Sequence, residues 1–226
     1  MSRPLALLRP EPGWSASAAA ARAAGLSVVG HPLFVAEPMA WDAPRGPFDG
    51  LLLGSAAALR HAGEGLGAFA HLPVYAVGEA TAHAARAAGF TIARTGSRGL
   101  QDLLAKLAGA PLRLLRLGGE ERVALHPHAG QEIVERAVYR MQPQPLAPSF
   151  VQDLASGRPV VALHSAAAAQ QFAAEIDRLV LERGRLFVLA LAPRIAKAAG
   201  LGWAALHLAD APDDGALLAK ARALCQ

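Results

Sequence analysis

VYAVGEATAHAARAAGF, residues 74–90, decides how this chain is read. Its first four residues form a short apolar run with the character of a buried strand. From Thr81 onward Ala82, Ala85 and Ala88 recur at helical spacing, and Gly89 ends the run. Between strand and helix lies a tight turn, Gly78-Glu79-Ala80-Thr81. A strand that turns straight into a helix leaves backbone N–H groups free in the first helical turn, where an anionic or polar group can sit.

The unit does not stand alone. Residues 187–196, FVLALAPRIA, resemble it, and LLLGSAAA at 51–58 resembles VALHSAAA at 161–168. LLAK occurs at 103–106 and again at 217–220, and LALLR at 5–9 resembles LRLLR at 112–116. Four matches in one order, at a slowly changing offset, indicate duplication of a half-chain unit. Each half reads as five strands alternating with helices. In the first half the strands fall near 5–9, 26–34, 51–53, 74–77 and 91–94. In the second they fall near 112–117, 133–140, 160–164, 187–191 and 205–208. Short continuous apolar runs are what parallel strands covered on both faces require. The expected fold is therefore α/β, with two doubly wound parallel-sheet domains.

Composition agrees with this and excludes several classes. The chain has 226 residues, 53% of them hydrophobic and 18% charged, enough for a solid core. The net charge of +4 comes without a Lys/Arg run, which argues against a nucleic-acid partner. Residues 5–8 are too short for the apolar core of a signal peptide, and Arg9-Pro10-Glu11-Pro12 interrupts them. No stretch approaches the roughly 20 apolar residues of a membrane span. The expected location is cytoplasmic. Cys225, the only cysteine, has no internal disulfide partner and reads as an ordinary thiol near a frayed end.

Ligands of such sheets bind outside the carboxyl ends of the strands. Ser55, Thr81 and Ser165 stand where a strand gives way to a helix and are expected to cap it. Gly78 admits close approach of a backbone or ligand, as does Gly118 in the Gly118-Gly119 loop. Arg9 ends the first strand at the same edge, Arg116 and Arg122 flank Gly118-Gly119, and His164 precedes Ser165. Plain capping, surface ion pairing and packing are the competing roles for all of these. His126-Pro127-His128 has no Cys or carboxylate cluster to support a metal, so none is expected. Gly118-Gly119-Glu120-Glu121 lacks the Lys-Ser/Thr of a phosphate loop, and there is no Gly-x-Ser-x-Gly elbow.

Taken in order, LALLRPEP at 5–12, FDGLLLGSAAALR at 48–60, the opening stretch and GSRGLQDLLAKL at 96–107 resemble the uroporphyrinogen-III synthase family. So do LLRLGGEER at 114–122, AVYR at 137–140, the Ser165 element, and the long ending LALAPRIAKAAGLGWAALHLADAPDDGALL at 189–218. The resemblance covers nearly the whole chain. Two departures stand out. Gly54-Ser55-Ala56-Ala57-Ala58 lacks the Thr and Asn that relatives often carry, and Ala192-Pro193-Arg194-Ile195 replaces Gly and Thr in the second copy of the motif.

The resemblance implies flavodoxin-like domains of discontinuous make-up: residues 1–34 plus 147–226 form one and 39–138 the other. Segments 35–38 and 139–146 would join them as a two-segment antiparallel β-ladder hinge, which suits Pro38, Pro143 and Pro145. It implies a lyase that cyclises hydroxymethylbilane, with loss of water and inversion of ring D through a spiro intermediate. It implies no metal or organic cofactor, a monomer, and no nucleic-acid or membrane partner. The substrate carries eight carboxylates, and control of its closure depends on positioning. The implied binding residues are Arg9, Ser55, Gly78, Glu79, Ala80, Thr81, Arg116, Gly118, His164 and Ser165. Tyr139, with Thr81, is the implied catalytic residue, donating a proton to the departing hydroxyl. The rival reading is a two-lobed binding or regulatory protein of the same fold without turnover.

Overall fold

The computed structural model describes residues 2–109 and 111–226. The chain opens with β1 (Leu5–Leu7), α1 (Gly13–Ala23) and β2 (Val28–Val29), and leaves this part through β3 (Phe34–Pro38). Then follow β4 (Gly50–Leu53), α2 (Ala56–His61), a 3₁₀ segment (Gly63–Phe69), β5 (Val74–Val77), α3 (Glu79–Ala87), β6 (Ile92–Gly96) and α4 (Leu100–Ala105). β7 (Leu112–Gly119) and the long β8 (Gln131–Pro143) complete the middle of the chain. The last part holds α5 (Pro148–Ser156), β9 (Val160–Leu163), α6 (Ala166–Arg178), β10 (Phe187–Ala190), α7 (Pro193–Ala199), β11 (Ala205–Leu208) and α8 (Asp214–Cys225).

Two compact units result. One is made of Met1–Val35 with Pro143–Gln226, and the other is the continuous Ala36–Gln142. The first has a five-stranded sheet in the order β11-β10-β9-β1-β2, in which every pairing is parallel. The six-stranded sheet runs β3-β8-β7-β4-β5-β6, and its pairings from β8 to β6 are also parallel. At the ends of the β3–β8 ladder the Met39 N–H donates to the Val138 carbonyl and the Gln144 N–H to the Leu33 carbonyl. Partners that fall as one strand rises belong to antiparallel strands.

Strand side chains alternate between two apolar layers, as a sheet covered on both faces demands. In the first unit Ala6, Val161, Leu163, Val188 and Ala190 face Phe150, Phe172 and Ile195 of α5, α6 and α7. Leu5, Leu7, Val160, Ala162 and Leu189 face Ala18 and Ala21 of α1 and Leu217 and Ala221 of α8. In the second unit Leu51, Leu53, Leu115 and Leu117 meet α2 and α3, and Leu52 and Leu114 meet Leu103 and Leu104 of α4. Small alanines on the helix faces let these helices lie close to the sheet.

Two expectations need correction. The helix after β5 begins at Glu79, with Gly78 at its N-cap (φ 79°), so Thr81 lies inside the helix and caps nothing. The turn requires a left-handed residue, which glycine supplies at no steric cost. The end of the chain is packed down, not frayed: α8 runs to Cys225, which is 2% exposed, and the Arg3 N–H donates to the Cys225 carbonyl. Burial pushes its thiol pKa up to about 11, so it is inert at neutral pH.

Candidate functional site

In each sheet the strand order reverses once. In the second unit the chain builds β4, β5 and β6 outward on one side, then returns to lay β7 and β8 on the other. The crevice between β4 and β7 is thus a topological switch point, the place where open α/β sheets bind ligands. A cavity of about 510 Å³ opens there, lined by Gly54, Ser55, Arg98, Gly118, Arg122 and Tyr139 among others. That volume lies within the range of small-molecule sites.

Each lining group is placed by a local feature. Ser55 caps α2, its Oγ accepting from the Ala57 N–H at 3.2 Å. The β7–β8 register slips between Gly118 and Gly119, so that Gly119 pairs with Tyr139. The Tyr139 ring lies against the bare Gly119. A methyl group there would meet Cε2 and Cζ at 3.1 Å and the phenol oxygen at 3.3 Å. The other ring contact is His61, at 5.8 Å between centroids. Burial, helped by the Arg60 charge, lowers the His61 pKa below its ordinary value.

The arginines divide into two roles. Arg116 is 5% exposed and is engaged internally: one guanidinium nitrogen donates to the Val123 carbonyl at 2.9 Å and to Glu135 at 2.7 Å. Arg122 meets the other Glu135 oxygen at 2.8 Å and the Gly119 carbonyl at 2.9 Å. Burial alone would raise the Glu135 pKa, but the hydrogen bonds and charges of Arg122 and Arg116 outweigh it and hold the carboxyl below its usual range. Arg98, exposed on the cavity wall, has no hydrogen-bond or ion-pair partner among the described residues. The segment after β7 is pinned at a second point by a two-way amide pair. Gln101 donates to the His126 carbonyl and accepts from the His126 N–H, both at 2.9 Å.

The cavity therefore gathers Ser55, Arg116, Gly118 and Tyr139 from the expected residues. Gly78, Glu79, Ala80 and Thr81 stand one strand away, and only Val77 of that stretch lines the cavity. Glu79 pairs with Arg86 at 2.6 Å, and Thr81 is 5% exposed within α3. Arg98 and Gln101 were not singled out by sequence reasoning. Their signal was present, since the turn from β6 into α4 repeats the strand-to-helix pattern at the same sheet edge.

The first unit has its own switch point between β1 and β9, and Arg9, His164 and Ser165 lie there. Ser165 caps α6, accepting from the Ala168 N–H at 3.1 Å. Arg9 is ion-paired with Asp214 and donates to Ser17 Oγ at 2.9 Å. Among the described residues no three His, Cys, Asp or Glu side chains gather as a metal site.

A family model described as uroporphyrinogen-III synthase HemD matches residues 15–219. The fold is that of solved uroporphyrinogen-III synthases. The synthetase from Helicobacter pylori aligns over 98% of this chain and 99% of its own, at 16% identity and a TM-score of 0.66. A mutant synthase from the extremely thermophilic bacterium Thermus thermophilus aligns over 97% and 98%, at 17% identity and a TM-score of 0.51. A comparison with curated protein sequences gives no significant match.

Proposed function

The chain belongs to the uroporphyrinogen-III synthase family, and from that premise we propose which of its groups perform the family's reaction. The reaction itself is the cyclisation of hydroxymethylbilane in tetrapyrrole biosynthesis, and the enzyme is a lyase. The observation that supports the site is the Tyr139 phenol in a cavity at the switch point of the second sheet, seated against Gly119.

In this reading Tyr139 donates a proton to the substrate hydroxyl as it leaves. Departure of water generates an electrophilic carbon, and ring D closes on it at its substituted position to give the spiro intermediate before inversion. Arg98 and Arg122 meet acid side arms of the bilane, and the Ser55 hydroxyl orients others. Arg116 acts at one remove, by fixing the segment that carries Arg122. The first turn of α3, which has no side-chain cap, offers further N–H donors through Glu79, Ala80 and Thr81. Positioning carries most of the selectivity, because the free bilane closes readily to the uninverted isomer. The same reading makes the enzyme a cytoplasmic monomer that needs no metal or organic cofactor. Among the described residues no helix is long and apolar enough to cross a membrane.

The test is direct. Freshly prepared hydroxymethylbilane should be converted to the type III isomer of uroporphyrinogen, separable by chromatography after oxidation. Formation of the type I isomer alone, at the uncatalysed rate, would overturn the reading.

A further inference from the structure

The two switch points are furnished differently. The one in the second unit is open. The one in the first unit is occupied by the protein's own carboxylate. Asp214, the first residue of α8, has one oxygen on the Arg9 guanidinium and, at 3.1 Å, on the Ser17 hydroxyl. Its other oxygen lies 3.6 Å from His164 Nε2.

The surroundings of Asp214 form an anion receptor. Arg9 lies across the first turn of α1, so close that a methyl group at Gly13 would fall 2.5 Å from its Nε. A guanidinium at the positive end of a helix is placed against the helix dipole, and a carboxylate relieves that conflict. Ser17 is 3% exposed, and the His164 side chain is 7% exposed. Among the described residues neither His164 ring nitrogen makes a hydrogen bond of good geometry. Burial and the Arg9 charge push its pKa down to about 4, although Asp214 and the Ala162 carbonyl pull it upward, so at neutral pH the ring is uncharged and has an N–H to give. Asp214 is not needed to cap α8, because Asp213 does so, accepting from the Ala216 N–H at 2.8 Å. Its side chain is 46% exposed, against 27% for Arg9, so solvent reaches the pair.

We propose that Arg9, Ser17 and His164 form a carboxylate subsite, and that Asp214 fills it in the ligand-free protein as a built-in competitor. The incoming carboxylate takes Arg9 and Ser17, Asp214 swings out to water, and the idle His164 N–H gains an acceptor. Identification of that carboxylate as a side arm of a tetrapyrrole rests on the function proposed above. A competitor within the chain weakens apparent affinity by the fraction of time it holds the site.

Uroporphyrin III, the stable oxidised octacarboxylate form of the product, is the probe. Its dissociation constant is measured by fluorescence quenching on the full chain, beside turnover of hydroxymethylbilane and a melting curve. Asp214→Asn should bind it about tenfold more tightly than wild type, and Asp214→Ser should change in the same sense. Asp210→Asn removes an exposed charge paired with Lys220. It controls for net charge and should change affinity by less than about twofold. Arg9→Gln should bind more weakly, and Asp214→Asn on that background should bring no gain. Absence of tightening in both Asp214 variants, or equal tightening in Asp210→Asn or on the Arg9→Gln background, overturns the proposal. Failure of the wild-type protein to form the type III isomer counts instead against the function.

Discussion

At Tyr139 substitution separates the packing of the ring from the proton donation proposed for its hydroxyl. Tyr139→Phe keeps the ring on Gly119 and His61 and removes only the hydroxyl. Turnover should fall by about 10²-fold, the low end for general acid catalysis, with an unchanged melting temperature. Tyr139→Ala should also lose about 1–3 kcal/mol of stability, since the ring packs on the apolar layer of its unit. Normal turnover in Tyr139→Phe would remove the acid from the mechanism. Gly119→Ala should lower turnover by pushing the ring a few tenths of an ångström off its seat, a result checked by steady-state kinetics on folded protein. Ser55→Ala and Thr81→Ala should each lower kcat/KM by roughly tenfold or less. A thousandfold loss from either would show that a hydroxyl does what positioning is credited with here. Thr81 was visible in sequence as a polar residue at a helix start. That it lies inside the helix was not, because a glycine with positive φ moved the start two residues earlier. Arg116 was legible as a cation beside a glycine pair, but its commitment to Glu135 depends on a pairing nineteen residues away.

Among elements, the segment between β7 and β8 depends on charge and amides more than on apolar contact. Val123, within it, is 82% exposed, and the segment is held by Arg116, Arg122, Glu135 and Gln101. Because the Glu135 pKa is depressed in the folded protein, its contribution to stability is complete above the unfolded value of 4.5 and is lost as pH falls through the lower folded value. The stability gap between wild type and Glu135→Gln, measured by denaturant titration, should therefore be widest near neutrality and narrow as pH falls below 4.5. A gap that stays constant with pH would deny the carboxylate this role. Gln101→Ala should leave stability nearly unchanged while increasing hydrogen exchange at the His126 amide, which loses its acceptor. Strand runs, helix runs and their alternation were legible because apolar strands and alanine-faced helices carry strong periodicity. Strand ends were less so. β8 runs from Gln131 to Pro143 through charged residues, a length set by pairing with β7 and β3 and not by its own composition.

For the whole molecule, the half-chain repeat was readable but misleading about which pieces share a sheet. The repeat divides the chain at its midpoint, whereas the units are a continuous Ala36–Gln142 and a first unit made from both ends of the chain. Periodicity records local structure and is silent about which distant strands pair. The continuous unit has its own two-sided apolar layers, so a fragment of residues 36–142 should fold alone. A cooperative melting transition with dispersed amide resonances would bear this out, and a non-cooperative melt would show that the remainder is required. Leu5 has two parallel partners, Val28 nearby and Val160 across most of the length of the chain. During synthesis β2 can join the first strand on one edge at once, but its other edge must wait, unpaired, while the whole middle unit emerges and has time to close. The enclosed unit gains its structure first and the enclosing one last. The interval in between is when a chaperone has most to gain by holding residues 5–8.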